Sequence, residues 1–122
     1  MHFLFQKAID LVHPARSVTQ LQRSADEQRA ADRAAHQLTL YHFRTCPYCN
    51  RVRRAAHRLN IPIPLRDIHA ESAAYQTLVT EGGRQTVPCL YIGDRSNGKW
   101  LYESADIIDY LNQRFAPAQD TP

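Results

Sequence analysis

The chain has 122 residues, of which 43% are hydrophobic and 22% charged, and its formal net charge is +3. That length suits one compact domain with a modest core, and the mixture of charge signs excludes wholesale disorder. So small a basic excess suits small anions. It falls short of the long basic stripe a nucleic-acid partner would need.

No run approaches the roughly 20 apolar residues that span a bilayer. The opening MHFLFQKAIDLV is interrupted by Gln6, Lys7 and Asp10 and lacks a small-residue cleavage site. A signal peptide is therefore not expected, and the expected location is cytoplasmic. Residues 3–12 set Leu4, Phe5, Ala8, Leu11 and Val12 at helical spacing, and Pro14 closes the segment. This amphipathic helix calls for cover, from the domain's own sheet or through a partner or dimer contact; its polar face is too weakly basic for a membrane surface. Ser24 with Glu27 three residues on is a capping box, so a helix is predicted from about Ala25 to His36.

LTLYHF (38–43) alternates and is rich in β-formers, which makes it a strand. From Pro47 to Leu59 the pattern is helical, with Pro47 suited to a first turn and Val52, Ala55, Ala56 and Leu59 on one face. IPIPLRDI (61–68) is predicted as a second strand and Ala73 to Glu81 as a short helix stopped by Gly82 and Gly83. VPCLYI (87–92) and KWLYE (99–103) bracket the turn-rich GDRSNG as a hairpin. ESADIIDYLNQRF is a final helix with Ile107, Ile108, Tyr110 and Leu111 available for burial. The order β-α-β-α-β-β-α calls for an α/β fold, a mixed sheet flanked by helices. It occupies residues 37–116, after a helical extension (1–36) and before a short tail (117–122).

Chemistry concentrates in FRTCPYCNRVRR, residues 43–54. Three cysteines make no secreted disulfide framework, and a close pair in a reducing compartment is more often catalytic or metal-binding. Cys46 falls at the strand-to-helix junction, where unpaired N–H groups and the positive end of the helix dipole favour an anion such as the reactive thiolate. Cys49, one turn on and expected to be less exposed, is placed to close a bridge. Arg44 and Arg51 add positive potential. A zinc site would need two paired ligand sets, and Cys89 with His42, His57 or His69 has no such spacing. A structural disulfide across so short a loop gains little. Thiol–disulfide exchange is the chemistry this spacing supports.

CPYC at 46–49, TVP at 86–88 and YESADIIDYL at 102–111 together resemble a dithiol glutaredoxin over about residues 38–115. The resemblance implies a thioredoxin-like fold with a four-stranded mixed sheet. It implies an oxidoreductase with glutathione as co-substrate, in which Cys46 attacks glutathione mixed disulfides or protein disulfides and Cys49 resolves. Pro88 matches the family's cis-proline beside the active cysteine. Val87 would offer its N–H and C=O to the cysteinyl part of glutathione, with Thr86 flanking. Tyr48 would line the groove, and Gln85 or Arg84 would meet the glycyl carboxylate. The Glu103–Ser104 pair is more similar to the glutathione-transferase N-terminal domain, where such a pair holds the γ-glutamyl end. The physics fits, with Ser104 capping a helix Ala105–Phe115 whose N–H groups take a carboxylate and Glu103 taking the ammonium.

Departures from the family are informative. Phe43 stands where small glutaredoxins usually carry lysine, so Arg44 is expected to take over the electrostatic role. No all-helical second domain of the transferase kind is expected here, which weighs against conjugating activity. Two alternatives remain: a module in which Cys46 and glutathione from two chains ligate a [2Fe–2S] cluster, disfavoured by the proline after Cys46, and a redox adaptor docked through the N-terminal helices. Cys89 is expected as a small core residue, and Trp100 and Tyr102 as packing. Arg51, Arg53, Arg54 and Arg58 form a solvated face or an anion-steering patch, and the histidines are expected at the surface.

Overall fold

The computed structural model describes residues 19–93 and 98–117; the predicted helix at 3–12, the tip of the hairpin and most of the tail lie outside them. Helix α1 spans Ala25–Ala35 and begins with the expected box: Ser24 accepts the Glu27 N–H and Glu27 accepts the Ser24 N–H. Strand β1 is Leu38–His42 and helix α2 is Pro47–Leu59, with Pro47 opening the first turn. Asn60 ends α2 in the left-handed region at φ 58°, a conformation asparagine tolerates better than most residues. Residues before α1 are tied to this end, the Leu21 N–H reaching the Arg58 carbonyl and the Gln20 side chain the His57 carbonyl.

The second strand is shorter than predicted. β2 is only Leu65–Asp67, because Pro62 and Pro64 bring no N–H to a ladder. Ile61 and Ile63 are buried all the same, and the Pro64 carbonyl still accepts the Leu40 N–H. The short helix also differs. α3 (Ser72–Thr77) passes directly into a π turn, Leu78–Gly82, which Gly83 ends at φ 86°. Strand β3, Cys89–Ile92, starts two residues later than predicted, after a cis Val87–Pro88 bond. Strand β4 is Lys99–Tyr102 and helix α4 is Ser104–Phe115.

The sheet order is β2-β1-β3-β4, with β2 parallel to β1 and the other pairs antiparallel. Leu40 pairs with Leu90 and Leu90 with Leu101, so the leucines share one face. There they meet Val52 and Leu59 of α2, Ile107, Leu111 and Phe115 of α4, and Ala31 and Ala35 of α1. The other face carries Tyr41, Cys89, Tyr91, Trp100 and Tyr102 against Ala74 and Leu78. Among the described residues no helix is long and apolar enough to cross a membrane.

Candidate active site

Register decides which loops meet. His42 ends β1 opposite Asp67, Tyr41 pairs with Cys89, and Cys89 pairs with Tyr102. The segment leaving β1, the segment entering β3 and the segment leaving β4 therefore gather at one end of the sheet. They carry Cys46, Val87–Pro88 and Glu103–Ser104.

Cys46 is the N-cap of α2, with extended backbone, and its Sγ accepts the Cys49 N–H at 3.2 Å. Sulfur thus does what a serine oxygen does in an ordinary cap, in the position where a negative charge is best received. The first turn of α2 holds no acidic residue to oppose that charge. Cys46 is 4% exposed and Cys49 fully buried, so the expected order of exposure holds by a narrow margin. Burial pushes the Cys49 thiol strongly upward, and the neighbouring Cys46 sulfur adds to it. Tyr48, by contrast, is 58% exposed, with the Arg51 guanidinium 5.8 Å from its ring centroid. Arg44 and Thr86 are exposed as well.

Pro88 is buried and Val87 half-buried at the mouth of β3. Among the described residues no backbone partner takes the Val87 N–H or C=O. Gln85 accepts the Tyr75 hydroxyl at 2.9 Å through Oε1, which leaves its amide N–H groups as the outward donors. Arg84 lies over the Tyr102 ring at 4.3 Å, planted on the hairpin.

The Glu–Ser pair corrects one expectation. Ser104 is the first residue of α4, not its cap; Glu103 holds the N-cap position without a side-chain capping bond. Glu103 does so at φ 73°, ψ 115°, a conformation that costs an L residue of order 1–3 kcal/mol.

A second correction concerns residues that sequence reasoning left at the surface. His42 is buried at 8% exposure, and an Arg53 Nη1 stands 2.7 Å from its Nδ1. The same guanidinium donates to the Arg44 carbonyl at 3.0 Å and the Phe43 carbonyl at 3.5 Å, so Arg53 belongs to neither a solvated face nor a steering patch. Burial lowers the His42 pKa and Arg53 lowers it further, with Asp67 opposing. Asp67 accepts the His69 and Ala70 N–H groups, which hold its carboxyl below the usual range. The His69 ring stacks on Phe43 at 4.2 Å between centroids. One signal for His42 was available: it has the same strand parity as the inward Leu38 and Leu40.

Cys89 is the expected core residue, fully buried, its thiol pushed up by burial to about 11. Burial likewise raises the neighbouring Tyr102 to about 12, and its hydroxyl donates to the Gly82 carbonyl at 2.9 Å. Among the described residues no group of three or more His, Cys, Asp or Glu stands together as a metal site.

Residues 40–119 match the family described as glutathione S-transferase, N-terminal domain, and the chain belongs to that family. No curated protein matches it. Among solved structures it is similar to a trimeric glutathione transferase of Leishmania, at 31% identity and a TM-score of 0.56 over 66% of this chain and 18% of that one. The thioredoxin-like protein BC3987 matches at 21% identity and a TM-score of 0.53, over 62% of this chain and 96% of that one. A maleylacetoacetate isomerase from Anaeromyxobacter dehalogenans 2CP-1, solved with glutathione in its active site, matches at 20% identity and 0.52, over 70% and 41%. The fold is thus thioredoxin-like, and the chain spans less than half the length of the transferase and the isomerase.

Proposed function

We propose that this protein is a glutathione-dependent thiol–disulfide oxidoreductase of the Cys-Pro-Tyr-Cys type. The observation that carries the reading is the Cys46 sulfur at the N-cap of α2, accepting a backbone N–H at 3.2 Å, at the sheet end where Val87–Pro88 and Glu103–Ser104 gather. The family of the chain and the glutathione in the isomerase's active site support glutathione as co-substrate.

In this mechanism the Cys46 thiolate attacks the glutathione sulfur of a mixed disulfide. The S–S bond breaks, the substrate thiolate leaves and takes up a proton, and Cys46 carries glutathione. A second glutathione thiolate then attacks the glutathionyl sulfur, releasing oxidised glutathione and restoring the Cys46 thiolate. The net change converts the mixed disulfide and one glutathione thiol into the substrate thiol and oxidised glutathione, so the disulfide bond passes from the substrate to glutathione and Cys46 is unchanged. Val87 offers its N–H and C=O to the cysteinyl portion, Thr86 flanks it, and Gln85 donates to the glycyl carboxylate. Ser104 and the first N–H groups of α4 receive the γ-glutamyl carboxylate, and Glu103 its ammonium. Tyr48 and Arg44 line the open side. Cys49, buried and held as a thiol, attacks only when a protein disulfide has been opened onto Cys46.

The test is the turnover of a glutathione mixed disulfide by wild type, Cys46→Ser and Cys49→Ser. The expected result is loss of turnover in Cys46→Ser, by more than about a hundredfold, and retention within a few-fold in Cys49→Ser. Equal rates in wild type and Cys46→Ser would sink the assignment.

A further inference from the structure

We infer that Arg53 is a positioning residue for the Cys46 loop, and that protonation of His42 releases it. The inference rests on Cys46 as the attacking thiol only for its functional meaning; its geometry stands without that reading.

A guanidinium has donors and no acceptor. At 2.7 Å from Arg53 Nη1, the His42 Nδ1 must therefore present a lone pair, which leaves the imidazole neutral with its proton on Nε2. The guanidinium so fixed holds the Arg44 and Phe43 carbonyls, and the Phe43 carbonyl also accepts the Cys46 N–H at 3.1 Å. A continuous chain of contacts therefore runs from a buried imidazole to the backbone of the nucleophile. On the other side of the same loop the His69 ring stacks on Phe43. Arg53 stands four residues after Cys49 in α2, so the helix that presents the cysteines also carries the brace for the loop leading into them.

Protonating His42 would set two donors against each other across 2.7 Å, in a half-buried site where neither is well solvated. The charged groups facing it are Arg53 from α2 and Asp67 from β2. On the rest of this face β3 contributes Leu90 and α4 contributes Ile107 and Leu111, none of which titrates. Burial, then Arg53, hold the imidazole below its ordinary value of 6.5. A folded-state value below the unfolded one means the unfolded chain binds the proton more readily. The brace is therefore intact above about pH 6.5, and its contribution is lost as pH falls through the lower folded-state value.

The experiment follows hydrogen exchange at the Cys46 amide in the reduced full chain, as a protection factor corrected for intrinsic rate, from pH 7.5 to 5. Arg53→Met is expected to lower Cys46 protection about tenfold, the weight of one hydrogen bond from a charged group, while leaving the Leu90 amide unchanged. Wild-type Cys46 protection should drop below pH 6.5. His42→Asn, which keeps an acceptor and cannot titrate, should hold it level. Unchanged Cys46 protection in Arg53→Met would overturn the inference, as would an equal loss at Leu90, which would mark Arg53 as merely structural. Mixed-disulfide turnover measured in parallel separates the two readings: these protection changes in a protein without turnover support the brace and count against the proposed function alone.

Discussion

The two faces of the sheet are built from different materials. On one, Leu38, Leu40 and Leu90 meet Val52, Ile107 and Leu111, all fully buried and none with a polar atom in its side chain. On the other, Tyr41, Tyr91, Trp100 and Tyr102 meet a short helix and a π turn, and several keep a polar handle. Tyr102 bonds the Gly82 carbonyl, and Arg66 and Arg84 lie over the Tyr41 and Tyr102 rings. Apart from the His42–Arg53 contact at its end, the aliphatic face holds helices by buried area, which is strong but carries little orientation. The aromatic face holds its loop by directed contacts, and that loop is the one running from Gly82 to Val87 toward the candidate site. Most of the buried aliphatic area is thus on one side of the four strands, and the contacts that aim the 82–87 loop are on the other.

Breaking the aliphatic face should give the largest effect. Leu90→Ala deletes a fully buried side chain paired with Leu40 and Leu101, and should cost ~2–5 kcal/mol of unfolding free energy in urea titration. Mixed-disulfide turnover per folded molecule should stay near wild type, because Leu90 faces the helices. A large fall in turnover at full folding would show that the division between the faces is wrong.

A smaller loss, with the opposite signature, is expected on the aromatic face. A methyl group on Gly82 would stand 2.8 Å from the Tyr102 hydroxyl and 2.9 Å from the Trp100 ring. Trp100 cannot retreat easily, since Tyr91 and Tyr41 pack on it at 4.7 and 5.5 Å between centroids. Gly82→Ala should cost ~1–3 kcal/mol and also raise the KM for glutathione, by displacing the Gln85–Val87 segment. A cost in stability with KM unchanged would detach that loop from the site.

The difference between the faces also explains what the sequence disclosed. Helix α2 was legible to its ends because Pro47 marks the first turn and its apolar spacing is regular. The capping box marked α1 in the same way. Both signals are local. The π turn has no such local signal, and its end at Gly82 lies close against the Trp100 and Tyr102 rings. The pairing of His42 with Arg53 joins positions eleven apart through tertiary packing, so charge alone put Arg53 in a solvated face or an anion-steering patch. Prolines shortened β2 although the alternation around them looked like strand. The cysteines, Val87–Pro88 and the Glu–Ser pair were each visible as motifs. The resemblance implied that they gather around one groove, and the register supplies the physical reason, bringing all three segments to one end of the sheet.

Glu103 offers the smallest effect and the sharpest discrimination. Glu103 is exposed, sits at φ 73°, and its side chain makes no capping bond. Glycine adopts such a backbone freely, so Glu103→Gly should raise stability by ~1 kcal/mol in urea titration, after the extra entropy glycine loses on folding. A residue kept in a strained conformation where glycine would be more stable is one whose side chain is needed. If that need is the glutathione ammonium, the same variant should raise the KM for glutathione about tenfold while leaving kcat nearly unchanged, because the ammonium lies far from the reacting sulfur. The two readouts then move in opposite directions, toward a more stable protein that binds its co-substrate less well. A gain in stability with unaltered KM would remove Glu103 from the site, and the strain would have to be ascribed to the start of α4.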